Sequence, residues 1–167
     1  MHRDLDVSKY SGVVAVYTFP LWNLMGQMVG YQQYRPDADK ERKLNPKDMR
    51  YYTYLPSNTN TAWGLETLNP RKVNLLVVEG IFDAVKLHNA GCNALAVLAN
   101  NPRPLKSWLH TLGYNIVPVC EGDKAGRMLA SLATGDIVEY LPEGVDVGDM
   151  TAEQVTERFG KYAKTTY

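Results

Sequence analysis

The residues of this sequence that are best suited to chemistry are acidic side chains at or shortly after the ends of short apolar runs. They are Glu79, Glu121, Asp123, Asp146 and Asp149. Carboxylate oxygens are the ligands that Mg²⁺ prefers, and protein-bound Mg²⁺ usually completes its shell with waters and substrate phosphates. The pattern therefore predicts a divalent-metal site that acts on a phosphorylated substrate, provided that the fold brings these side chains together.

The elements that must position these acids alternate along the second part of the chain. Short buried strands are predicted at 74–79, 94–98, 116–120 and 137–141, with helices at 81–89, 105–112 and 124–133 and a last helix that opens at Thr151 with Gln154 as its capping partner. Alternation of this kind indicates a parallel sheet with helices on its faces. Since ligands gather at the carboxyl ends of such strands, three strand ends are expected to deliver carboxylates to one edge. Such a cluster repels itself unless cations neutralise it.

Two interpretations of the individual acids remain open. A lone acidic residue at a helix start is usually only a cap, so the metal hypothesis depends on finding acids at three strand ends. The helix at 81–89 is predicted from the apolar spacing of Phe82, Val85 and Leu87. Asp83, one turn into this helix, either adds to the metal site or only orients its helix.

The first part of the chain, up to Lys72, has the composition of β structure. Strands are predicted at 13–22, 27–35 and 51–55, because these runs are rich in β-branched and aromatic residues. We therefore predict an α/β fold in two parts. A small, β-rich and basic N-terminal subdomain covers 1–72, and a domain with a Rossmann-like parallel sheet flanked by helices covers 73–167.

The distribution of charge also differs between the first and the second part of the chain. Up to Pro118 there are 13 Lys or Arg against 9 Asp or Glu, whereas 119–157 holds 2 basic and 9 acidic residues. The densest basic stretch runs from Arg35 to Arg50 and is flanked by tyrosines. Basic groups beside aromatic rings can hold phosphates and stack bases. Four acids interleaved in the stretch also allow a solvated loop, so both interpretations stay open.

Composition excludes several classes of protein. With 167 residues, 45% of them hydrophobic and 22% charged, the chain can build a packed core and is not expected to be disordered. No apolar run reaches the length of a membrane span. The two cysteines, Cys92 and Cys120, lie far apart, so neither a structural zinc site nor a disulfide scaffold is expected. We expect a cytoplasmic globular protein.

Three ordered motifs together resemble the TOPRIM domain of bacterial and phage DNA primases. They are the runs 79–84 (Glu-Gly-Ile-Phe-Asp-Ala), 121–127 (Glu-Gly-Asp-Lys-Ala-Gly-Arg) and 141–149 (Leu-Pro-Glu-Gly-Val-Asp-Val-Gly-Asp). Upstream, the segments 19–22 and 26–31, followed by Arg35, look like the segment that precedes TOPRIM in primases. The segments 50–53 and 63–65 look like the stretch just before the first TOPRIM strand. The resemblance covers about residues 15 to 160.

The resemblance implies a primase-type RNA polymerase core that makes short RNA primers on single-stranded DNA during replication, in a protein encoded by a phage. Its substrates would be ribonucleoside triphosphates, joined by attack of a 3′-hydroxyl on an α-phosphate, and its cofactor Mg²⁺ or Mn²⁺. For a protein encoded by a phage, the expected location is the cytoplasm of the host cell.

The resemblance also assigns roles to residues. Glu79, Glu121 and Asp123 would be catalytic and would bind metal, with Asp146 and Asp149 as further metal ligands. The residues expected to contact template and triphosphate are Arg35, Lys43, Lys47, Arg50, Lys124 and Arg127. Arg127 fits a salt bridge on a helix surface equally well.

The chain departs from the family at two points. Glu121 stands where the second motif normally begins with Asp, and the extra methylene either shifts or weakens the metal or is tolerated. The sequence also offers no ligands for the zinc ribbon that such primases usually carry, and no Walker motif of a helicase. A replicative helicase and a separate zinc-binding subunit are therefore candidate partners, and no membrane is expected to take part.

Two alternatives to a primase remain. A TOPRIM nuclease that cuts nucleic acid would use the same metal ligands, although the upstream segment favours the primase. A catalytically weakened TOPRIM module that binds nucleic acid or a replication partner is the other alternative, and Glu121 is the feature that keeps it open.

Overall fold

The computed structural model describes residues 15–40, 45–122 and 124–165, with backbone only at 124 and 125. The chain opens with a three-stranded antiparallel sheet. Its strands are β1 (Tyr17–Trp22), β2 (Met28–Tyr34) and β3 (Tyr51–Tyr54), in the spatial order β1-β2-β3. Asn23 shapes the turn between β1 and β2, because its side-chain oxygen accepts hydrogen bonds from the N–H groups of Met25 and Gln27.

A four-stranded parallel sheet follows. Its strands are β4 (Asn74–Val78), β5 (Asn93–Ala96), β6 (Asn115–Cys120) and β7 (Glu139–Tyr140), in the spatial order β5-β4-β6-β7. The helices are α1 (Ile81–Asn89), α2 (Lys106–His110), α3 (Lys124–Ala130) and α4 (Ala152–Phe159). The predicted α/β fold, a parallel sheet flanked by helices after a small β-rich part, is confirmed. The division at residue 72 stays a prediction.

The side chains of β4 show how the helices are shared between the two faces of the parallel sheet. Leu76 and Val78 point into a buried cluster with residues of α1 and α4. Leu75 and Val77 point the opposite way, into a second cluster with residues of α2 and α3. This alternation is what a strand buried on both faces requires, and it explains the continuous apolar run at 75–78.

The strand order places the site. The chain goes from β4 to β5 on one side and then crosses to β6 on the other side of β4. At such a switch point the two following loops diverge and leave a crevice beyond the carboxyl ends of the strands. Glu79 follows β4 and Glu121 follows β6, so the fold brings both to this crevice.

Several predicted boundaries are corrected by local geometry. β5 ends at Ala96 and not at 98, because Leu98 has the left-handed φ of 55° and turns the chain out of the sheet. α2 covers only 106–110, since the prolines at 102 and 104 favour a 3₁₀ turn before it. α3 ends at Ala130, after which the chain tightens into i→i+3 hydrogen bonds.

The helix at 81–89 is predicted correctly, but its buried side is not. Ile81, Ala84 and Leu87 face the core, as the helical period requires, whereas Phe82 is 41% exposed. The Phe82 ring instead contacts the antiparallel sheet, edge-on to Phe19 with centroids 6.0 Å apart and to Tyr34 at 5.0 Å. α1 therefore packs into the parallel-sheet core on one side and against the antiparallel sheet at its first turn.

Two further contacts join the sheets. The Thr61 hydroxyl, which is buried, donates a 2.6 Å hydrogen bond to the carbonyl of Trp22 at the end of β1. Trp63 pairs with Ala96 through two backbone hydrogen bonds and so extends the parallel sheet beyond β5 with an antiparallel bridge. The segment after β3 thus fastens the antiparallel sheet to the parallel one.

The close approach of β2 to the end of β3 depends on a glycine. A Cβ on Gly30 would collide with the carbonyl oxygen of Tyr54 and would lie 3.0 Å from a methyl group of Leu55. We predict that Gly30→Ala lowers the free energy of unfolding by about 1–3 kcal/mol, because backbone must move to admit the methyl group. Urea unfolding measures the change. Gly135→Ala, where nothing lies within 4 Å, is the matched control, and equal losses in the two variants would contradict the prediction.

Candidate active site

A cavity of about 710 Å³ opens at the carboxyl ends of the parallel strands. Five carboxylates line it, and we call it the acidic cavity; they are Glu79, Asp83, Glu121, Asp146 and Asp149. They come from the ends of β4 and β6, from the first turn of α1 and from the loop before α4. Residues that lie up to 70 positions apart in the chain therefore share one wall of the cavity.

The backbone around Glu79 and Glu121 is tightly constrained. Leu98 donates its N–H to the carbonyl of Glu79 at 3.1 Å, which fixes the strand end from the β5 side. A Cβ on Gly126 would collide with the backbone of Glu121, so α3 can lie this close only because residue 126 is glycine. Both glutamates are half-buried. Their positions are thus set by the main chain around them.

The loop that carries Asp146 and Asp149 is a short 3₁₀ turn over Val147–Asp149. The Asp146 carboxylate caps this turn by accepting the N–H of Asp149 at 2.7 Å. Gly148 lies between the two acids, and a Cβ there would come within 2.9 Å of Asp146 and 3.1 Å of Asp83. Glycine at position 148 therefore allows two carboxylates, those of Asp83 and Asp146, to approach one backbone position.

Helix α1 holds this loop at Gly148. Asp83 accepts the N–H of Gly148 at 2.7 Å, and Lys86, one turn further along α1, donates to the carbonyl groups of Gly148 and Met150. We call these contacts the α1 clamp. Asp83 thus holds the loop of Asp146 and Asp149 through Gly148. The choice that the sequence left open for Asp83, between metal binding and helix orientation, stays a prediction.

The crowding of carboxylates is visible in the titration of Asp83. Its pKa is raised from the ordinary 3.8 to about 6, chiefly because the side chain is buried, and the negative charges of Asp146 and Asp149 raise it further. The N–H groups of Gly148 and Gly80 act in the opposite direction, since they favour the ionised form. Burial and the neighbouring carboxylates together therefore outweigh the two backbone donors at Asp83.

A second part of the lining, which we call the polar wall, has no charged side chain among the described residues. The antiparallel sheet contributes Gln32, Tyr51 and Thr53, and the chain after β5 contributes Asn100. The amide of Gln32, which is 6% exposed, donates a 3.0 Å hydrogen bond to the Thr53 hydroxyl. Polar amide and hydroxyl groups and one tyrosine ring thus line the same cavity as the carboxylates.

The structure gathers some of the site residues predicted from the sequence and places others elsewhere. Glu79, Glu121, Asp146 and Asp149 line the acidic cavity together. Asp123 and Lys43 lie outside the described residues, as does the side chain of Lys124. Within the described parts of the chain, no group of three or more His, Cys, Asp or Glu is close enough to hold a metal ion, so the predicted metal site stays a prediction.

Four of the cationic residues predicted to contact phosphates lie in the described part of the chain, and none of these four lines the cavity. They are Arg35, Lys47, Arg50 and Arg127. The Arg35 guanidinium donates to the side chain of Gln33 at 3.0 Å, and one of its buried nitrogens has no hydrogen-bond partner among the described residues. Arg50 donates to the carbonyl of Ala38 at 2.8 Å. Lys47 and Arg127 are exposed. Their proposed phosphate contacts therefore lie beside the cavity and remain predictions.

Sequence reasoning did not find the polar wall or Lys86. Gln32 and Thr53 reach the cavity because they are directly opposite each other in the β2–β3 register. Lys86 reaches the loop at Gly148 across 62 residues of chain. Neither contact has a local sequence signal. The only available hint is that Asp83 and Lys86 are three residues apart on one helix, which puts their side chains on the same face.

The fold and the cavity together define an α/β domain with an acidic site at the switch point of its parallel sheet. No protein-family model matches the sequence, and no curated protein matches it. Among solved structures, a DNA primase domain from Pseudomonas aeruginosa matches with a TM-score of 0.65 and 24% identity, over 87% of this chain and 49% of that chain.

Two structures of DnaG primase give the same result. The DnaG catalytic core matches with a TM-score of 0.65 and 23% identity, over 87% of this chain and 51% of that chain. The DnaG catalytic domain bound to single-stranded DNA matches with a TM-score of 0.64 and 23% identity, over 87% and 50%. The chain spans about half the length of the primase structures that it matches. The resemblance to primases that the motifs indicated is confirmed at the level of the fold.

None of the described helices is both long enough and apolar enough to cross a membrane.

The raised pKa of Asp83 predicts a pH-dependent stability that its amide analogue lacks. Between about pH 4 and pH 6 the folded protein binds more protons at Asp83 than the unfolded chain does, so this group destabilises the fold as pH rises through that range. We predict that Asp83→Asn becomes more stable relative to the wild type by roughly 1–3 kcal/mol between pH 4 and pH 7, since its amide oxygen can still accept the N–H of Gly148.

Urea unfolding in the presence of EDTA measures this difference. Asp136→Asn, at an exposed carboxylate outside the acidic cavity, is the control and should show no such trend. A stability difference between Asp83→Asn and the wild type that is the same at both ends of the pH range would contradict the assignment.

Proposed function

We propose that this chain is a primase-type nucleotidyltransferase that makes short RNA primers on single-stranded DNA during replication. The observation that carries the proposal is that five carboxylates line one cavity at the switch point of a fold shared with primase catalytic cores. A neighbouring DnaG structure contains single-stranded DNA, which supports a single-stranded template for this chain as well.

The donor set fits a hard divalent cation, Mg²⁺ or Mn²⁺. All the side chains concerned offer carboxylate oxygens, and among the described residues no lysine, arginine or histidine lines the cavity. Glu79, Glu121 and Asp123 would hold the ion, with Asp146 and Asp149 as further ligands. When bound, such an ion neutralises charge on phosphate oxygens during phosphoryl transfer.

The residues of the chain itself then act mainly as positioning groups. The α1 clamp fixes the loop of Asp146 and Asp149 relative to the strand ends of β4 and β6. The polar wall adds amide and hydroxyl groups to the lining of the same cavity. Cationic side chains outside the cavity are the proposed contacts for template and triphosphate, because carboxylates cannot neutralise the negative charge of phosphates. They are Arg35, Lys43, Lys47, Arg50, Lys124 and Arg127.

The proposal extends to the setting of the reaction. Ribonucleoside triphosphates are the proposed substrates, and a replicative helicase and a separate zinc-binding subunit are proposed partners. We place the protein in the cytoplasm, that of the host if a phage encodes it.

Two other functions are compatible with the same carboxylates. A TOPRIM nuclease would bind the same ions but would shorten nucleic acid. A weakened module would bind nucleic acid or a replication partner without turnover. Glu121 supports this alternative, because its side chain is longer than the aspartate of the family. Its backbone lies tightly against Gly126 and cannot shift to compensate for the extra length.

Primer synthesis on single-stranded DNA tests the proposal. We predict short RNA products from labelled ribonucleotides with Mg²⁺ or Mn²⁺, a loss of about 100-fold or more in Glu79→Gln, and a gain in Glu121→Asp, whose shorter carboxylate restores the geometry of the family. Gel electrophoresis of the products measures all three.

The matched control is Glu143→Gln, an exposed acid of the same motif region that does not line the acidic cavity. It should keep wild-type activity. Degradation of the DNA template in place of synthesis would support the nuclease, and absence of any reaction with either ion would leave the binding module.

Cation-dependent stability provides a test that does not require turnover. We predict that millimolar Mg²⁺ or Mn²⁺ raises the melting temperature of the wild type by about 5 °C, because an ion at about 100 times its Kd stabilises the folded state by about 2.7 kcal/mol. Glu79→Gln should lose most of this rise. Thermal denaturation with KCl at matched ionic strength is the control, and an equal rise with KCl would contradict a specific site.

A further inference from the structure

Three tyrosines lie side by side on the face of the antiparallel sheet that borders the acidic cavity. Tyr17, Tyr34 and Tyr51 occupy directly opposite positions on β1, β2 and β3. The rings of Tyr17 and Tyr34 are 6.4 Å apart at 29°, and those of Tyr34 and Tyr51 are 5.0 Å apart at 27°. We call this arrangement the tyrosine stack.

The end of the tyrosine stack lies at the acidic cavity. Tyr51 lines the cavity and is 47% exposed, although Tyr34 covers one side of its ring. β3 is an edge strand of its sheet, so within the described ranges no further strand covers Tyr51 from the other side. A large, exposed aromatic ring that is held rigid by its neighbours offers a flat surface to a flat ligand.

The groups beside Tyr51 fit the edge of a nucleobase. Gln32 and Thr53 form the next cross-strand pair on the same face, and their amide and hydroxyl are linked by a hydrogen bond within the cavity wall. Amide and hydroxyl groups both donate and accept, as base edges do. The cavity volume of about 710 Å³ lies within the range of nucleotide-sized ligand sites.

We propose that Tyr51, supported by the tyrosine stack, is a base-stacking platform on the uncharged wall of the acidic cavity. The ligand is a nucleobase, carried either by single-stranded DNA or by an incoming nucleoside triphosphate. The base stacks on the Tyr51 ring with its edge toward Gln32 and Thr53, and its phosphates point away from this wall. The identity of the nucleic acid rests on the proposed function, but the stacking itself requires no catalysis.

The chain provides a closely matched control on the same strand. Tyr54 is 48% exposed and stacks on its cross-strand neighbour Tyr31 at 5.4 Å and 26°. It lies three residues from Tyr51 and therefore on the opposite face of the sheet, and it does not line the acidic cavity. Tyr51→Leu and Tyr54→Leu remove equivalent rings from equivalent surroundings and differ only in the face that they affect.

The first experiment compares binding of labelled oligo(dT) with binding of an abasic oligomer of the same length, in EDTA, by fluorescence anisotropy. If the base on Tyr51 belongs to the strand, Tyr51→Leu weakens oligo(dT) binding about ten-fold and leaves binding of the abasic oligomer unchanged. Tyr51→Phe and Tyr54→Leu should bind like the wild type. Quenching of a 2-aminopurine strand by the wild-type protein reports stacking directly, even if a variant folds poorly.

A second titration uses UTP with Mg²⁺ and distinguishes the sources of the base. Weaker UTP binding in Tyr51→Leu with unchanged oligo(dT) binding assigns the platform to the incoming nucleotide, and the reverse assigns it to the strand. The proposal is overturned if neither ligand is weakened, if Tyr54→Leu gives the same loss, or if the wild type binds neither. Because the readout is binding, a failure of stacking with intact primer synthesis, or the opposite result, separates this proposal from the proposed function.

Discussion

The constraint on which this structure depends is the concentration of negative charge where β4 and β6 end. Parallel strands must finish at one edge of the sheet, so the order β5-β4-β6-β7 brings Glu79 and Glu121 to a common crevice. The chain offsets part of the repulsion with backbone N–H groups, since Gly148 donates to Asp83 and Asp149 donates to Asp146. The charges of Asp146 and Asp149 still raise the pKa of Asp83, although burial of its side chain is the larger cause. An external cation would relieve the remainder.

Helix α1 is the element that relates the two walls of the acidic cavity. Its buried side packs into the parallel-sheet core, its first residues contact the antiparallel sheet through Phe82, and Asp83 and Lys86 hold the loop at Gly148. This helix of nine residues therefore relates the position of the carboxylates to that of the polar wall. The exposed position of Phe82, which the apolar pattern of the helix does not explain, is a consequence of this bridging role.

The fold could be predicted from the sequence because its signals are local. The bounds of α1 follow from Gly80 and Gly91, and the capping box of Thr151 and Gln154 marks the start of α4. The acids at three strand ends likewise predicted a shared cavity. The α1 clamp joins residues more than 60 positions apart, and the tyrosine stack depends on a register set across a long loop. Neither is encoded within a short window, so neither could be predicted.

The division between the two walls gives a bound nucleotide a direction. Phosphates cannot lie against bare carboxylates, so they approach Glu79 and Glu121 only with a cation between them. An uncharged base has no such requirement and gains most against Tyr51, where ring surface and amide groups are already in place. The two proposals therefore support one arrangement, in which the parallel sheet handles the phosphates and the antiparallel sheet handles the base. The antiparallel sheet is then part of the site, and removing it would cost specificity for nucleotides as well as stability.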